Sequence, residues 1–306
     1  MCPAAPDAAR TAGFPALSLG GAAAAGPRLT CGSACGDELR FGTWNVRTLR
    51  PDGRRELLAR ELFRRGVGLC GLCETRLAEG VAGLRCDAPD LPASYMLYGG
   101  AGRSGCGGVA VALAARWSAA VVRWEALSER LCVLRLAARP VCVTVVVAYA
   151  PTECDEDERQ KDLFYAALRR VVVSAPARDF LVVLGDFNAR LGRPDEDFAR
   201  VLGRFAWGER NENGARLLSL AAECRLVVAN TLFRHRPACR KTWRGGSGCA
   251  ERAAQLDYVL VRSRWRTSLL DARAYWSADV GSDHALVVAR VRLRLAVSRP
   301  DRCRAP

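Results

Sequence analysis

Lysine and histidine are almost missing from this 306-residue sequence, and so is any apolar run long enough to cross a bilayer. Lys161 and Lys241 are the only lysines, and His235 and His284 the only histidines. With His235 isolated, and no second tight cysteine pair to complete Cys70-Gly-Leu-Cys73, a structural zinc site is not expected; Cys31 and Cys35 are a looser pair. The most apolar stretch, Leu131 to Tyr149, is broken by Arg135, Arg139 and Pro140. It reads as two neighbouring strands, well short of the roughly 18–20 uninterrupted residues of a membrane span. The start has no basic segment followed by a compact apolar core: Asp7 precedes a stretch interrupted by Pro15 and several glycines. Secretion is therefore not expected, and Arg10 and Arg28 alone make a weak mitochondrial presequence.

What is abundant points to a core-forming chain. Half the residues are hydrophobic and 25% are charged, which excludes global disorder. The net charge of +14 comes almost wholly from arginine and attracts polyanions, of which nucleic acid is the commonest large one. The same Arg, Ala and Gly enrichment follows from a GC-rich coding sequence, so charge supports a nucleic-acid partner without selecting one. Fourteen cysteines, several inside apolar runs (Cys70, Cys132, Cys142), read as small buried hydrophobes in a reducing compartment.

Residues 1–38, rich in Ala, Gly and Pro, show neither helical nor strand periodicity and read as a flexible leader. Residues 39–295 form the folded domain and 296–306 a short flexible tail. Within the domain, strands are expected at Leu39–Asn45, Leu69–Glu74, Val109–Leu113, Leu131–Leu136, Val141–Ala148, Phe180–Leu184, Leu226–Ala229, Leu256–Val261 and Ala285–Leu295. Helices are expected at Arg54–Arg65, Glu158–Val173 and Asn213–Cys224. Strands outnumber helices, and several adjacent strands can pair without a helical crossover. An α/β architecture of two packed mixed sheets flanked by helices follows.

Polar residues cluster where buried strands end, the usual place for chemistry held on a rigid base. One strand ends at Trp44-Asn45 and another at Glu74-Thr75-Arg76; Phe180–Leu184 runs into Gly185-Asp186-Phe187-Asn188, and Gly281-Ser282-Asp283-His284 precedes the last strand. Singly, each has a bland structural explanation such as a cap or an Asx turn. Together they suit metal-assisted phosphoryl transfer. Glu74, Asp283 and Asn45 supply the oxygen donors that Mg²⁺ prefers, with Mn²⁺ as a substitute. Asp186 could orient or deprotonate a water, and Asn188 could donate to phosphate or water. His284, with Asp257 as its carboxylate partner, could donate to a non-bridging oxygen.

The chain resembles the endonuclease/exonuclease/phosphatase superfamily, which includes abasic-site endonucleases, pancreatic-type deoxyribonuclease and LINE retrotransposon endonuclease domains. The segments that carry the resemblance are Gly42-Thr43-Trp44-Asn45, Cys73-Glu74-Thr75, Ala148-Tyr149-Ala150-Pro151, Gly185-Asp186-Phe187-Asn188, Thr242-Trp243, Gln255-Leu256-Asp257-Tyr258 and Gly281-Ser282-Asp283-His284. Residues 42–49, 149–152 and 228–233 are similar to the craniofacial development protein 2-like group, itself similar to RTE/BovB-type endonucleases. The resemblance implies a four-layer α/β/β/α sandwich, Mg²⁺, and hydrolysis of DNA to a 3′-hydroxyl and a 5′-phosphate. It adds Tyr149 as a contact to the scissile phosphate, and Asn230 and Trp243 near the substrate cleft. Arg47 and Thr152 complete the DNA-contacting set, and both depart from the abasic-site pattern, favouring a less selective nickase. A monomer acting on DNA, in the nucleus or else the cytoplasm, is the expectation. Two alternatives stay open: a phosphatase of phosphoinositides or another small phosphoester, and a catalytically silent DNA- or chromatin-binding protein derived from a transposon.

Overall fold

The computed structural model describes residues 29–30, 38–77, 80–88, 91–99, 107–153, 158–245 and 253–293. Thirteen strands make its two main sheets. They are β1 (Leu39–Asn45), β2 (Leu69–Cys73), β3 (Gly80–Ala88), β4 (Leu91–Gly99), β5 (Ala110–Ala114), β6 (Val121–Ser128), β7 (Leu131–Leu136), β8 (Val143–Tyr149), β9 (Phe180–Asp186), β10 (Leu226–Val228), β11 (Asp257–Arg262), β12 (Leu269–Tyr275) and β13 (Leu286–Val291). One sheet has the order β12-β13-β1-β2-β5-β4-β3 and the other β10-β11-β9-β8-β7-β6. Helices α1 (Arg54–Arg64), α2 (Glu158–Ser174) and α3 (Glu212–Glu223) complete the layers.

Within the two main sheets, only two neighbouring pairs among the described residues are parallel. β1 and β2 are bridged by α1, and β8 and β9 by α2, as a parallel crossover requires. The remaining neighbours in the two main sheets are antiparallel, and among the described residues β3 to β4, β4 to β5, β6 to β7, β7 to β8 and β12 to β13 are joined without an α-helix. α1 buries Leu58 and Leu62 against Trp44, Leu72 and Leu286 on the outer face of the seven-stranded sheet. α2 and α3 bury Leu168, Val172, Leu217 and Leu218 against Val146, Leu181 and Leu260 on the outer face of the six-stranded sheet. Between the sheets lie Phe41, Leu69, Val145, Val147, Phe180, Leu184 and Val259. This is the expected four-layer α/β/β/α sandwich.

Strand parity decides what reaches the site. Phe41, Thr43 and Asn45 share one side of β1; Val145, Val147 and Tyr149 share one side of β8; Phe180, Val182, Leu184 and Asp186 share one side of β9. The apolar members of each series fill the space between the sheets, so its last, polar member emerges from that same space at the strand's end. Gly185 lies beside Asp186 because any Cβ there would stand 1.9 Å from the Ala148 carbonyl oxygen.

Several expectations need correction. β3, β4, β6 and β12 were not among the expected strands. The segments GVAGLRCDA and LPASYMLYG lack clean alternation, and β6 is half-buried along nearly its whole length, so none carries a period-2 signal. The last strand, expected over 285–295, runs Leu286–Val291, and residues 294–295 lie outside the described set. Of the leader, most of 1–38 lies outside the described residues, as does the tail at 296–306; Leu29–Thr30 forms a short parallel ladder with Ala138–Arg139. Cys70 and Cys73 are free and buried, and alternation sends them to opposite faces of β2, so they cannot share a zinc ion. No helix among the described residues is long and apolar enough to cross a membrane.

Candidate active site

At one end of the paired sheets the polar strand ends meet. Asn45, from β1, donates through Nδ2 to Glu74 Oε1 and to Asp186 Oδ2, both at 2.9 Å, and so ties the two sheets together. Tyr149 OH, from β8, donates to the same Glu74 oxygen at 3.0 Å. Asp186 is buried and receives the Asn188 backbone N–H at 3.0 Å. Asn188 in turn donates to the Ala150 carbonyl at 2.8 Å, locking the loop after β9 against the loop after β8.

His284 is 7% exposed and lies between two aspartates. Its Nδ1 is 3.0 Å from Asp257 Oδ2, and its Nε2 is 3.9 Å from Asp186 Oδ2. Asp257 is fully buried, and its second oxygen has no hydrogen-bond partner. Ser282 fixes the approach: its hydroxyl donates to the Asn45 carbonyl at 2.6 Å and accepts the His284 backbone N–H. Thr242 does the same below, its hydroxyl accepting the Leu256 and Asp257 backbone N–H groups. Trp243 Nε1 donates to Asp283 Oδ2 at 3.1 Å.

The charges interact strongly. Burial, then the nearby Asp257 carboxylate, pushes Asp186 up to about 7, with His284 and the hydrogen bonds from Asn45 and Asn188 offsetting part of the rise. For His284 burial works against the imidazolium, but Asp257, Asp186 and Asp283 outweigh it and raise the group to about 9. Burial followed by Glu74 and Asp186 pushes the Tyr149 phenol up, so it remains a donor. Four non-glycine residues around the site adopt positive φ: Arg47 (57°), Glu74 (55°), Arg76 (52°) and Asn188 (47°). Such backbone persists only where surrounding contacts enforce it, and it concentrates at functional sites.

Two sets of groups can be weighed as metal holders. Asp186, Asp257 and His284 offer atoms that lie within 4.8 Å of one another. An imidazolium held between two carboxylates ligates nothing, so this trio is better described as an ion-pair network. Glu74 and Asp283 offer hard carboxylate oxygens, and Asp283 Oδ1 is buried without a hydrogen-bond partner. That orphaned oxygen makes this pair the better fit. Asn45, expected to offer an oxygen, turns its NH₂ toward the carboxylates while its Oδ1 accepts the Arg47 backbone N–H at 3.0 Å.

The structure thus brings together Asn45, Glu74, Tyr149, Asp186, Asn188, Trp243, Asp257, Asp283 and His284. Arg47 is beside them, its Nε 3.7 Å from Asp283 Oδ1. Thr152 lies on the loop after Tyr149 with its hydroxyl oxygen buried and unpartnered. Asn230 is turned inward instead of toward a cleft: its amide donates to the Asp257 carbonyl and accepts the Val259 N–H, so it braces the strand that carries Asp257. Sequence reasoning did not single out Ser282, Thr242 or Arg76 as site residues. Ser282 and Thr242 act through backbone hydrogen bonds that no side-chain inventory reveals, although both stood inside recognised motifs.

The chain is 32% identical over 292 residues to craniofacial development protein 2 of Tragulus javanicus, covering 95% of this chain and 48% of that protein. It therefore spans about half the length of that relative. The fold is similar to the endonuclease domain of TRAS1, a telomere-specific non-LTR retrotransposon, with a TM-score of 0.57 and 17% identity, covering 84% of this chain and 100% of that one. It is also similar to a 3′ phosphatase, NExo from Neisseria, bound to product DNA hairpin, with a TM-score of 0.58 and 19% identity, covering 82% and 98%. At such identities the likeness is one of fold. Residues 42–284, from the strand that ends in Asn45 to His284 itself, match the Endonuclease/Exonuclease/phosphatase family, and the chain belongs to it.

Proposed function

We propose that this protein is a Mg²⁺-dependent DNA endonuclease that hydrolyses a phosphodiester to a 3′-hydroxyl and a 5′-phosphate. The observation that carries the reading is the Asp186–His284–Asp257 network: a buried carboxylate raised to about 7 facing an imidazolium raised to about 9. These are opposite tasks set by one environment, a proton acceptor beside a proton donor at neutral pH. The family is one of nucleases and phosphatases that generally depend on divalent metal, and the neighbours named above support DNA as substrate.

Asp186 orients the attacking water and takes its proton. Asn45 holds Asp186 in place through one of its two Nδ2 hydrogen bonds. His284, kept cationic and correctly turned by Asp257 on Nδ1, presents Nε2 to a non-bridging phosphate oxygen, and as the P–O3′ bond breaks the leaving oxygen takes a proton from solvent water. Tyr149 and Asn188 frame the phosphate position, and Trp243 and Thr152 line the approach to it. Glu74 and Asp283 would hold the metal, which when bound neutralises charge on the phosphate oxygens. Arginines on the loops supply sequence-independent phosphate contacts. The domain at 39–295 carries the chemistry, and a DNA substrate makes the nucleus its place of work.

The test is nicking of supercoiled plasmid with and without Mg²⁺, beside the isosteric Asp186→Asn protein and beside turnover of soluble inositol phosphates. Metal-dependent nicking that is lost in the variant is expected. Turnover of inositol phosphates without nicking would replace DNA by a small phosphoester as substrate. A folded wild-type protein inactive on both would overturn the enzymatic reading.

A further inference from the structure

Two arginines face the two carboxylates assigned to the metal. Arg76 Nη2 donates to Glu74 Oε2 at 3.1 Å, and Arg47 Nε stands 3.7 Å from Asp283 Oδ1, close enough to neutralise it and too far to satisfy it. Neither guanidinium arrives by drift of a loose loop. Arg47 and Arg76 both have positive φ, the Arg47 N–H is bonded to Asn45, and the Arg76 carbonyl accepts Arg50 Nε at 2.7 Å. Arg54 pins the same loop by donating to the Thr48 carbonyl at 3.2 Å. The backbones are fixed while the side chains are 57% and 38% exposed, so each guanidinium can swing out into solvent.

We infer that Arg47 and Arg76 are built-in counter-cations of the metal site: they hold divalent-metal affinity down until a phosphodiester draws them off, so metal loads together with DNA. The inference rests on Glu74 and Asp283 being the metal-holding pair. A guanidinium and a divalent cation compete for the same oxygens, and their mutual repulsion at contact distances changes affinity by about tenfold even in water-like dielectric. Phosphate oxygens are the guanidinium's preferred alternative partner, because its planar donors match them two at a time. By linkage, whatever factor DNA adds to metal affinity, metal adds to DNA affinity.

The experiment is calorimetric titration of the full chain with MnCl₂, without DNA and then with a hydrolysis-resistant phosphorothioate duplex. Arg47→Gln/Arg76→Gln removes both charges and keeps a side chain of similar reach. Arg47→Lys/Arg76→Lys restores the charges, and Glu74→Gln removes a proposed ligand. Expected are about tenfold tighter Mn²⁺ binding by the glutamine double variant without DNA, a smaller further gain from the duplex than in wild type, and wild-type Mn²⁺ affinity without DNA in the lysine variant, whose charges are kept. Unchanged or weaker binding by the glutamine variant, with Glu74→Gln still weakening it, overturns the inference and leaves the metal assignment standing. If wild type takes up no Mn²⁺, or Glu74→Gln binds as wild type does, the metal assignment itself fails and this inference falls with it.

Discussion

Replacing Asp257 by Asn isolates the electrostatic half of the site from its packing. The asparagine is isosteric and can offer Nδ2–H to a neutral His284 Nδ1, so the 3.0 Å contact survives while the negative charge is lost. In the wild type, the rise of His284 from 6.5 to about 9 corresponds to roughly 3 kcal/mol in favour of the imidazolium. Asp257 is the largest favourable contributor, acting against a burial cost that remains in the variant. His284 should therefore titrate close to or below its ordinary value in Asp257→Asn. Because the chain has only two histidines, imidazole resonances followed by NMR across pH 5–10 give a direct reading. The folded state holds the His284 proton more tightly than the unfolded state does. Its stabilisation is complete below 6.5 and is lost as pH rises through about 9. Thermal melts of wild type should fall across that window, and those of Asp257→Asn should be flatter there. A wild-type His284 titrating near 6.5, or a variant that leaves its titration where it was, would refute the reasoning.

Asn230→Ala should cost about 1–3 kcal/mol in urea unfolding by stranding the Val259 N–H and the Asp257 carbonyl, while DNA affinity measured by anisotropy stays within twofold. Gly185→Ala should be far more damaging, on the order of 3 kcal/mol or more, because its methyl would meet the Ala148 carbonyl oxygen at 1.9 Å; a melt within a degree or two of wild type would contradict that close approach. Glu38 is lowered to about 2 by its hydrogen bond to Arg290, with Arg40 adding to the effect against burial. Its stabilisation is present above 4.5 and lost as pH falls toward about 2, so Glu38→Gln should flatten the acid limb of the melting curve. Solvent around the two partly exposed arginines screens the pairs and limits that effect to less than about 1 kcal/mol, and 1 M NaCl should reduce it further.

How much was legible follows from what each residue does locally. Asn45, Asp186 and Asp257 stand at the ends of apolar runs legible as strands in the sequence, but β9 and β11 are buried on both faces, so parity places them toward the space between the sheets only once the packing is known. The two crossover helices were legible as well, since Leu58, Leu62, Leu168 and Val172 recur at helical spacing. β3 and β4 were not legible, because their pairing partners and not their own pattern keep them extended. Asn230 misled for a related reason. Its place near a cleft came from the resemblance and not from its own pattern, and the neighbouring strand β11 consumes both its donor and its acceptor. Arg76 was hidden by bulk arginine content, where one more basic residue two places after a glutamate carries no signal until the backbone turns it back at φ 52°.

Four carboxylates converge here, and burial divides them into pairs with different tasks. Asp186 and Asp257 are sealed from solvent and share one histidine, so their charge can be balanced only by moving protons. Glu74 and Asp283 keep side-chain exposures of 17% and 32% and face arginines that can leave, so their charge can be balanced by exchange of cations with solvent. Asn45 links the two pairs by donating to one member of each, Glu74 and Asp186. A change in cation occupancy at Glu74 must therefore be felt at Asp186 through one amide, and Asn45→Ala should uncouple the two. The measurable sign is a pH profile of nicking that shifts with Mg²⁺ concentration in wild type and not in the variant. A profile that shifts equally in both would mean the coupling runs through the field of the site and not through Asn45.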